Sequence, residues 1–491
     1  MRQQYVDLVK EYINLRPDYQ DTLHEMKQHV VSAGATDEEF EEALKQLGIP
    51  LPLARSLSQD KKTEYTKETP ASTNLTAKLI ELDVLVNLIV LTVVLIVGAA
   101  YFFKMITVDT GPVRVASNST APAPKKLVFP QVYASSEPID AQKVFSYPPS
   151  GVTLAQNGKT TKEIYGFFPY WMLDAQDQIS FNTISRMALF GLETDGSGKF
   201  IVTQSDGTAD GGWNMWNDDQ LSKLLARARS KRIKVELTVK AFNNDNIIRL
   251  TQSDDAQQTF ISNVIQALQA KNLDGVNLDF EYVGFPDDNI KNGFTRLVRN
   301  LRASMQQQIP NASLTIDTYI NEAATPRLVD LSAVSDSVDA LIIMGYDMHT
   351  PKGSPGPVAP AEGDVSITQY VQTYLDKVPA DKLILAVPYY GYDWLSPNPQ
   401  NTPATVIPYA QAAAVTRNVQ TQWNDTTQTP WYTYTATDGS AHEVHFDNPR
   451  SLGIKYDLVN REQMRGIAIW ALGYDGLNSD LRATIIDKFG K

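Results

Sequence analysis

The sequence predicts an α/β chain whose main part is a (β/α)8 TIM barrel, and two patterns carry that prediction. From Ile164 onward short apolar runs alternate with longer amphipathic stretches, the texture of a parallel sheet wrapped in helices. Eight such runs fit into about 325 residues, a size suited to a (β/α)8 barrel with insertions. They are Ile164–Phe168, Arg186–Phe190, Lys234–Val239, Gly275–Phe280, Ser313–Asp317, Ala340–Met344, Leu383–Val387 and Gly466–Trp470. The longest gap lies between the seventh and eighth runs. It holds the β-like Trp431–Thr435, a turn at Asp438–Ser440 and the alternating His442–Phe446, so a small α+β insertion is expected over residues 396–460 of a catalytic domain spanning 161–491.

Ahead of the barrel the chain changes character three times. Residues 1–55 read as a small helical unit: Tyr5, Leu8, Val9, Tyr12 and Ile13 fall at helical spacing, and a second periodic run spans Leu23–Val31. A third helix is announced by a capping box at Thr36–Glu39, continues through Phe40, Ala43, Leu44 and Leu47, and stops at Gly48 and Pro50. Residues 84–103 carry no charge and, as a helix, would cross about 30 Å of hydrocarbon. With Asn87 and Thr92 as its polar residues the segment lacks the polar stripe of a core helix, so a transmembrane helix is expected. Lys61, Lys62, Lys67 and Lys78 precede it, against Lys104 and Arg114 after it, which favours a plasma-membrane location with a cytoplasmic N-terminus and an extracellular catalytic domain. Residues 1–55 would then offer a surface to a cytoplasmic protein partner. Residues 104–160, rich in Pro, Ser and Thr, read as a flexible linker.

Composition narrows the chemistry. The chain has 491 residues, a net charge of −12 and no cysteine, which rules out disulfides, thiolate metal sites and a cysteine nucleophile. The acidic balance argues against a nucleic-acid partner, since phosphate binding needs concentrated basic surface. His442 and His445 lack partners at metal-ligand spacing, and no phosphate-binding loop is found, so neither metal nor cofactor is expected.

Reactive side chains concentrate in the fourth run. Alternation along a barrel strand turns Asn277, Asp279 and Glu281 toward the lumen and Val276, Leu278 and Phe280 toward the helices. Two inward carboxylates one repeat apart repel and are costly to bury, and they stand at the strand end where barrel enzymes work. Such a pair raises one of its pKa values, which makes Glu281 the candidate proton donor and Asp279 its tuner.

The stretch Asp274–Glu281, DGVNLDFE, resembles the DGxxxDxE signature of family 18 glycoside hydrolases, the chitinase and endo-N-acetylglucosaminidase family. The resemblance extends over most of residues 163–488, through Tyr165–Trp171, Met344–Asp347, Val387–Gly391 and Ile469–Trp470 in the family's order. It implies cleavage of β-1,4 bonds in an N-acetylglucosamine-containing polysaccharide, chitin or peptidoglycan, by a substrate-assisted retaining mechanism in which the 2-acetamido oxygen attacks the anomeric carbon. Carried onto this chain, Glu281 would protonate the leaving oxygen and then activate water, Asp279 would orient the acetamido group, and Tyr346 would donate to its carbonyl. Asp347 would hold the sugar and Trp470 would form the floor under the reacting ring. Asn277, Tyr390, Phe168, Tyr282 and Met344 complete the expected substrate-binding set.

The family pattern often carries aspartate where this chain has Asn277. Chains resembling the spore-cortex and peptidoglycan-acting branch read DGVN here, so the asparagine hints at that substrate and at a shifted pH profile. Trp171, Trp213, Trp216, Phe285, Trp394 and Trp431 are further aromatic candidates for sugar subsites, and His349 for the cleft lining. The rival reading of the same residues is a non-catalytic chitinase-like glycan-binding protein, against which the presence of Glu281 speaks.

Overall fold

A computed structural model of the chain describes residues 138–149, 159–325, 327–398 and 402–491, together with Phe40, Glu42 and Lys45, which are helical. The rest of the unit expected over 1–55, and with it the surface for a protein partner, lies outside the described residues.

The first seven apolar runs form parallel strands β1 (Glu163–Pro169), β2 (Arg186–Glu193), β3 (Lys234–Ala241), β4 (Gly275–Phe280), β5 (Ser313–Tyr319), β6 (Ala340–Met344) and β7 (Leu383–Pro388). A second sheet follows, made of β8 (Tyr390–Leu395), β9 (Thr405–Pro408), β10 (Gln422–Asn424), β11 (Thr429–Thr435) and β12 (Ala441–His445); β13 (Gly466–Trp470) then returns to close the barrel between β7 and β1. The eight-stranded parallel barrel with its helices fits the (β/α)8 TIM architecture.

Outward-facing residues of the strands bind the helices. Val276 and Leu278 of β4 are wholly buried, and Phe280 meets Phe260 edge-on at 5.9 Å and Phe294 at 5.4 Å. Phe260 lies on the helix Asp254–Lys271, started by the Ser253 cap and ended by Asn272 in the left-handed region, φ 49°. Phe294 lies on the 21-residue helix Asp288–Gln308, which buries Ile290, Leu297, Val298, Leu301 and Met305.

The second sheet is antiparallel, in the order β10-β11-β12-β8-β9. It begins at Tyr390, just past β7, and ends at His445, whereas the sequence suggests 396–460. The difference has two causes. Tyr390–Leu395 reads as the tail of the seventh run, and Pro449–Arg461 is a helix of the barrel, started by a capping box between Asn448 and Ser451 with proline in its first turn.

Two expectations are corrected. Within the stretch 104–160 expected as a flexible linker, Ala141–Ser146 is a helix capped by Asp140, with Ala141, Val144 and Phe145 buried; the Arg417 guanidinium donates to the carbonyls of Pro148 and Pro149. Apolar residues at helical spacing, hidden in a Pro- and Ser-rich context, account for it. The expected plasma-membrane location also finds no support: among the described residues no helix is long and apolar enough to cross a membrane. The helix Asp288–Gln308 has the length, but its solvent side carries Asp288, Lys291, Arg296, Arg299 and Arg302. The segment 84–103, on which that expectation rested, lies outside the described residues.

At the N-terminal end of the lumen Arg186 pairs with both Glu163 and Glu236, and Glu163 also pairs with Arg465 at 2.7 Å. Glu236, with no exposed side-chain surface, accepts further bonds from Tyr165 at 2.7 Å and Thr315 at 2.9 Å. A buried ion pair is weak evidence of net stabilisation, but removing one partner strands the other charge. Arg186→Met is therefore expected to cost about 3–5 kcal/mol, read as a lower midpoint in urea unfolding. An unchanged midpoint would show that the network carries none of the stability.

Candidate active site

β4 delivers its polar row to the C-terminal mouth of the barrel. Asn277 is fully buried, Asp279 nearly so, and Glu281, the first residue past the strand, is half-buried. The Glu281 N–H donates to the Ala241 carbonyl at 3.0 Å, which pins the residue to the end of β3. Parallel registration sets Asp279 beside Lys240 of β3, and Asn277 between Thr238 of β3 and Thr315 of β5. The Asn277 amide nitrogen donates to Asp317 Oδ1 at 3.0 Å and to Thr315 Oγ1 at 3.2 Å.

Burial in this lumen keeps acids protonated. Glu281 is pushed well above the usual carboxyl range, first by burial and then by the negative charge of Asp279; the Tyr319 hydroxyl works the other way, and Asp347 adds to the rise. Burial lifts Asp279 to about 7 against the pull of the Lys240 ammonium, which is itself paired with Glu193 at 3.0 Å. Asp317 is raised well above its ordinary value by burial and by Asp279, with the Asn277 amide opposing. An acid so held is able to donate a proton near neutral pH.

A further part of the site comes from the end of β6, two strands along from β4, and from β8. Met344 is half-buried, and Tyr346 is buried with its phenol raised well above the usual range, mainly by burial and then by Asp317 and Asp279, so it is a neutral donor among the carboxyls. Asp347 sits in the left-handed region at φ 56°, costly for a residue with a Cβ, and both Tyr390 and Tyr392 donate to its Oδ1, the latter at 2.6 Å. Tyr390 also lies edge-on to Tyr346, with ring centres 6.0 Å apart. Trp470, at the end of β13, joins an aromatic cluster: Phe190 edge-on at 4.7 Å, Phe167 at 5.5 Å and Trp171 at 6.4 Å.

The structure thus brings together Asn277, Asp279, Glu281, Tyr346 and Asp347, with Tyr390 behind Asp347 and not at the surface. Other sequence candidates fall elsewhere. Phe168 is wholly buried, and alternation from Tyr165, whose hydroxyl reaches Glu236 in the lumen, turns it toward the helix layer; Phe167 holds the inward place. Tyr282 is buried with Asp287 and Asp245 as the acidic groups acting on it, not the barrel row. Trp394 is wholly buried and donates to the Gly353 carbonyl, while Trp216 is covered by Lys271. Trp171, Trp213, Phe285 and Trp431 keep partial exposure. His349 Nδ1 lies 3.2 Å from the Ser354 carbonyl, His442 pairs with Asp393 and His445 with Glu443. Among the described residues no group of three or more His, Asp or Glu is arranged to hold a metal ion.

Sequence reasoning misses Lys240, Asp317 and Tyr319. The signal was present: Glu236, Thr238 and Lys240 on β3, and Ser313, Thr315, Asp317 and Tyr319 on β5, repeat the polar alternation that marks β4.

A family model described as glycosyl hydrolases family 18 matches residues 136–475. The chain belongs to that family. The family is one of glycosyl hydrolases. This family 18 chain is 26% identical to the cortical fragment-lytic enzyme of Bacillus subtilis (strain 168) over 234 residues, 47% of this chain and 54% of that protein. It therefore spans about half the length of that curated relative. Over 271 residues it is 25% identical to the di-N-acetylchitobiase of Rattus norvegicus, 51% of this chain and 72% of the relative. The crystal structure of the Bacillus cereus spore cortex-lytic enzyme SleL shares the fold, with a TM-score of 0.57 at 22% identity, covering 67% of this chain and 75% of that one.

The raised carboxyl pKa values link stability to pH. Asp279 moves from 3.8 to about 7, so the folded state holds its proton more tightly than the unfolded one. The stabilisation from that proton is complete below about pH 4 and is lost as pH rises through about 7. Asp279→Asn keeps the position neutral at every pH. Its stability relative to the parent is expected to be greater at about pH 8.5 than at about pH 4.5, measured by urea unfolding at both; a pH-independent difference would contradict the assigned protonation.

Proposed function

We propose that this glycosidase cleaves β-1,4 bonds beside N-acetylglucosamine, with the sugar's own 2-acetamido oxygen as nucleophile and retention of configuration at the anomeric carbon. The observation that carries the reading is the β4 row: one protonated acid at the rim, Glu281, with Asp279 one strand repeat below it on the same face. A conventional pair of carboxylates would face each other across the sugar at roughly 5–9 Å. Side chains on the same face of one strand stand about 7 Å apart along one wall instead.

In this reading Glu281 gives its proton to the glycosidic oxygen as the bond from the anomeric carbon to that oxygen breaks. The acetamido carbonyl oxygen attacks the anomeric carbon and closes an oxazolinium ring. Asp279, as carboxylate, accepts from the acetamido N–H and faces the developing positive charge; Tyr346 donates to the carbonyl oxygen and holds it for attack. Glu281, now a base, takes a proton from the water that opens the ring. Trp470 and its aromatic neighbours supply the flat apolar surface that suits a pyranose face. Asp347, clamped by Tyr390 and Tyr392, holds the sugar, and Met344 lines the same wall.

The substrate is a chitin-like or peptidoglycan glycan. The name of the cortical fragment-lytic relative and Asn277 support peptidoglycan, and the name of the chitobiase relative supports short chitin oligomers. The second sheet, which starts at Tyr390, raises one wall of the cleft and sets which glycan enters.

Product analysis of the protein on peptidoglycan and on chitin oligomers, with Glu281→Gln in parallel, tests this. Loss of the acid is expected to lower turnover by about 10²–10⁴-fold. Newly formed reducing ends should be β-anomers by NMR, and a de-N-acetylated substrate should resist cleavage. A Glu281→Gln variant as active as the parent, or an α-anomeric product, would refute the mechanism; tight glycan binding by the parent without turnover would leave a binding protein.

A further inference from the structure

The lumen holds a carboxyl that the β4 row does not include. Asp317 lies on β5, 4% exposed, on the inward face shared with Thr315. Its Oδ1 accepts from the Asn277 amide at 3.0 Å, and the second N–H of that amide goes to Thr315 at 3.2 Å. Both donors of the fully buried Asn277 are thereby fixed toward β5. Among the described residues, Asn277 Oδ1 and Asp279 Oδ1 are buried without a hydrogen-bond partner. Asn277 therefore does not tether Asp279; it presents Asp317.

An amide cannot hold or share a proton, so on the inward face beside Asp279 the group able to hold one is the Asp317 carboxyl of the neighbouring strand. We infer that Asp317 is a positioning residue for Asp279: it keeps a proton on β5 beside Asp279, so that the two carboxyls together carry one negative charge and Asp279 is the one left anionic toward substrate. The inference rests on the substrate-assisted reading above. It also accounts for the residue at 277. An aspartate there would lose both amide donors and set a like charge against Asp317. With asparagine at 277 the carboxyl stands on β5, and the amide holds it in place.

The titratable groups acting on Asp317 are Asp279 of β4, Glu281 just past it, Glu236 of β3, Tyr165 of β1 and Tyr346 beyond β6. The carboxyl neighbours all disfavour a charge on Asp317, and the Asn277 amide alone favours it. Lys240, by contrast, acts on Asp279. That asymmetry leaves the proton on Asp317 and the charge on Asp279.

The test compares Asp317→Asn, the exchange Asn277→Asp/Asp317→Asn, Glu281→Gln and the parent on the glycan that the parent cleaves, with kcat and KM measured across pH. Asp317→Asn is expected to lower kcat on the order of tenfold or more, to change KM little, and to displace the acidic limb of the kcat profile. The exchange returns a carboxyl to the pair from the other strand, and should regain most of the lost kcat. A parent-like kcat and pH profile for Asp317→Asn would overturn the inference. An exchange variant that melts like the parent yet is no more active than Asp317→Asn would also overturn it. Should Asp317→Asn not fold, the exchange variant is read against the parent: most of the parent kcat supports the inference, and a kcat about tenfold or more lower in a variant that melts like the parent overturns it. Parent-like activity of Glu281→Gln would instead bring down the underlying mechanism, whereas an inactive Glu281→Gln beside an unaffected Asp317→Asn would bring down this inference alone.

Discussion

The hydrogen bonds from the Asn277 amide to Asp317 and Thr315 are the joint on which the lumen depends. Below the joint, Thr315 donates to Glu236, which is held by Tyr165 and by Arg186, and Arg186 reaches Glu163 and Arg465 through the floor of the barrel. Above it stand Asp317, Asp279 and Glu281. A polar column thus runs the length of a barrel whose outer shell is almost entirely apolar. From Glu163 up to Asp317 each member is fixed by a neighbour on a different strand, so the setting of the acidic end depends on contacts that begin at the opposite one. That is the preorganisation a site needs if its charges are to be in place before substrate arrives.

Such a column is a burden for folding. Carboxyls that must hold protons to stay buried contribute little to cohesion, and the barrel tolerates them because the apolar layer between strands and helices is continuous, from Val276, Leu278 and Phe280 through Phe260, Phe294 and Leu297. The division of labour is spatial: the odd-numbered residues of β4 face the lumen with polar groups, and the even-numbered ones hold the fold. Strain collects at the mouth as well, where Asp347 adopts a left-handed backbone held by two phenols.

Much of this was legible from the residues. All eight barrel strands could be placed, because apolar runs with polar punctuation are what a doubly covered parallel sheet requires, and the row Asn277, Asp279 and Glu281 stood out as polar residues where such a strand should be apolar. What was not legible depends on pairing across strands. Asp317 carries the same alternating signal, yet its meaning arises from the registration of Asn277 with Thr315, which no local pattern encodes. Phe168 was misread because a shift of one residue along a strand exchanges lumen for helix layer, and Phe167 is its inward neighbour. Tyr390 looked like a rim aromatic beside β7; it is the first residue of another sheet, and its hydroxyl is already committed to Asp347. The helix Ala141–Ser146 was hidden by flanking Pro and Ser, and its burial depends on surfaces supplied by distant parts of the chain.

The clamp of Tyr390 and Tyr392 on Asp347 joins two parts of the molecule with different freedoms. β8 lies at the interior of its sheet, bonded to β12 on one side and β9 on the other, whereas the hairpin ends near Asp438–Ser440 and Asn424–Gln428 are held by hydrogen bonds within the turns themselves. Descendants of this chain are therefore free to lengthen, shorten or recolour those hairpins while the inner strand keeps its grip. Change at the rim of the second sheet is thus separable from change at the carboxyl row beneath it.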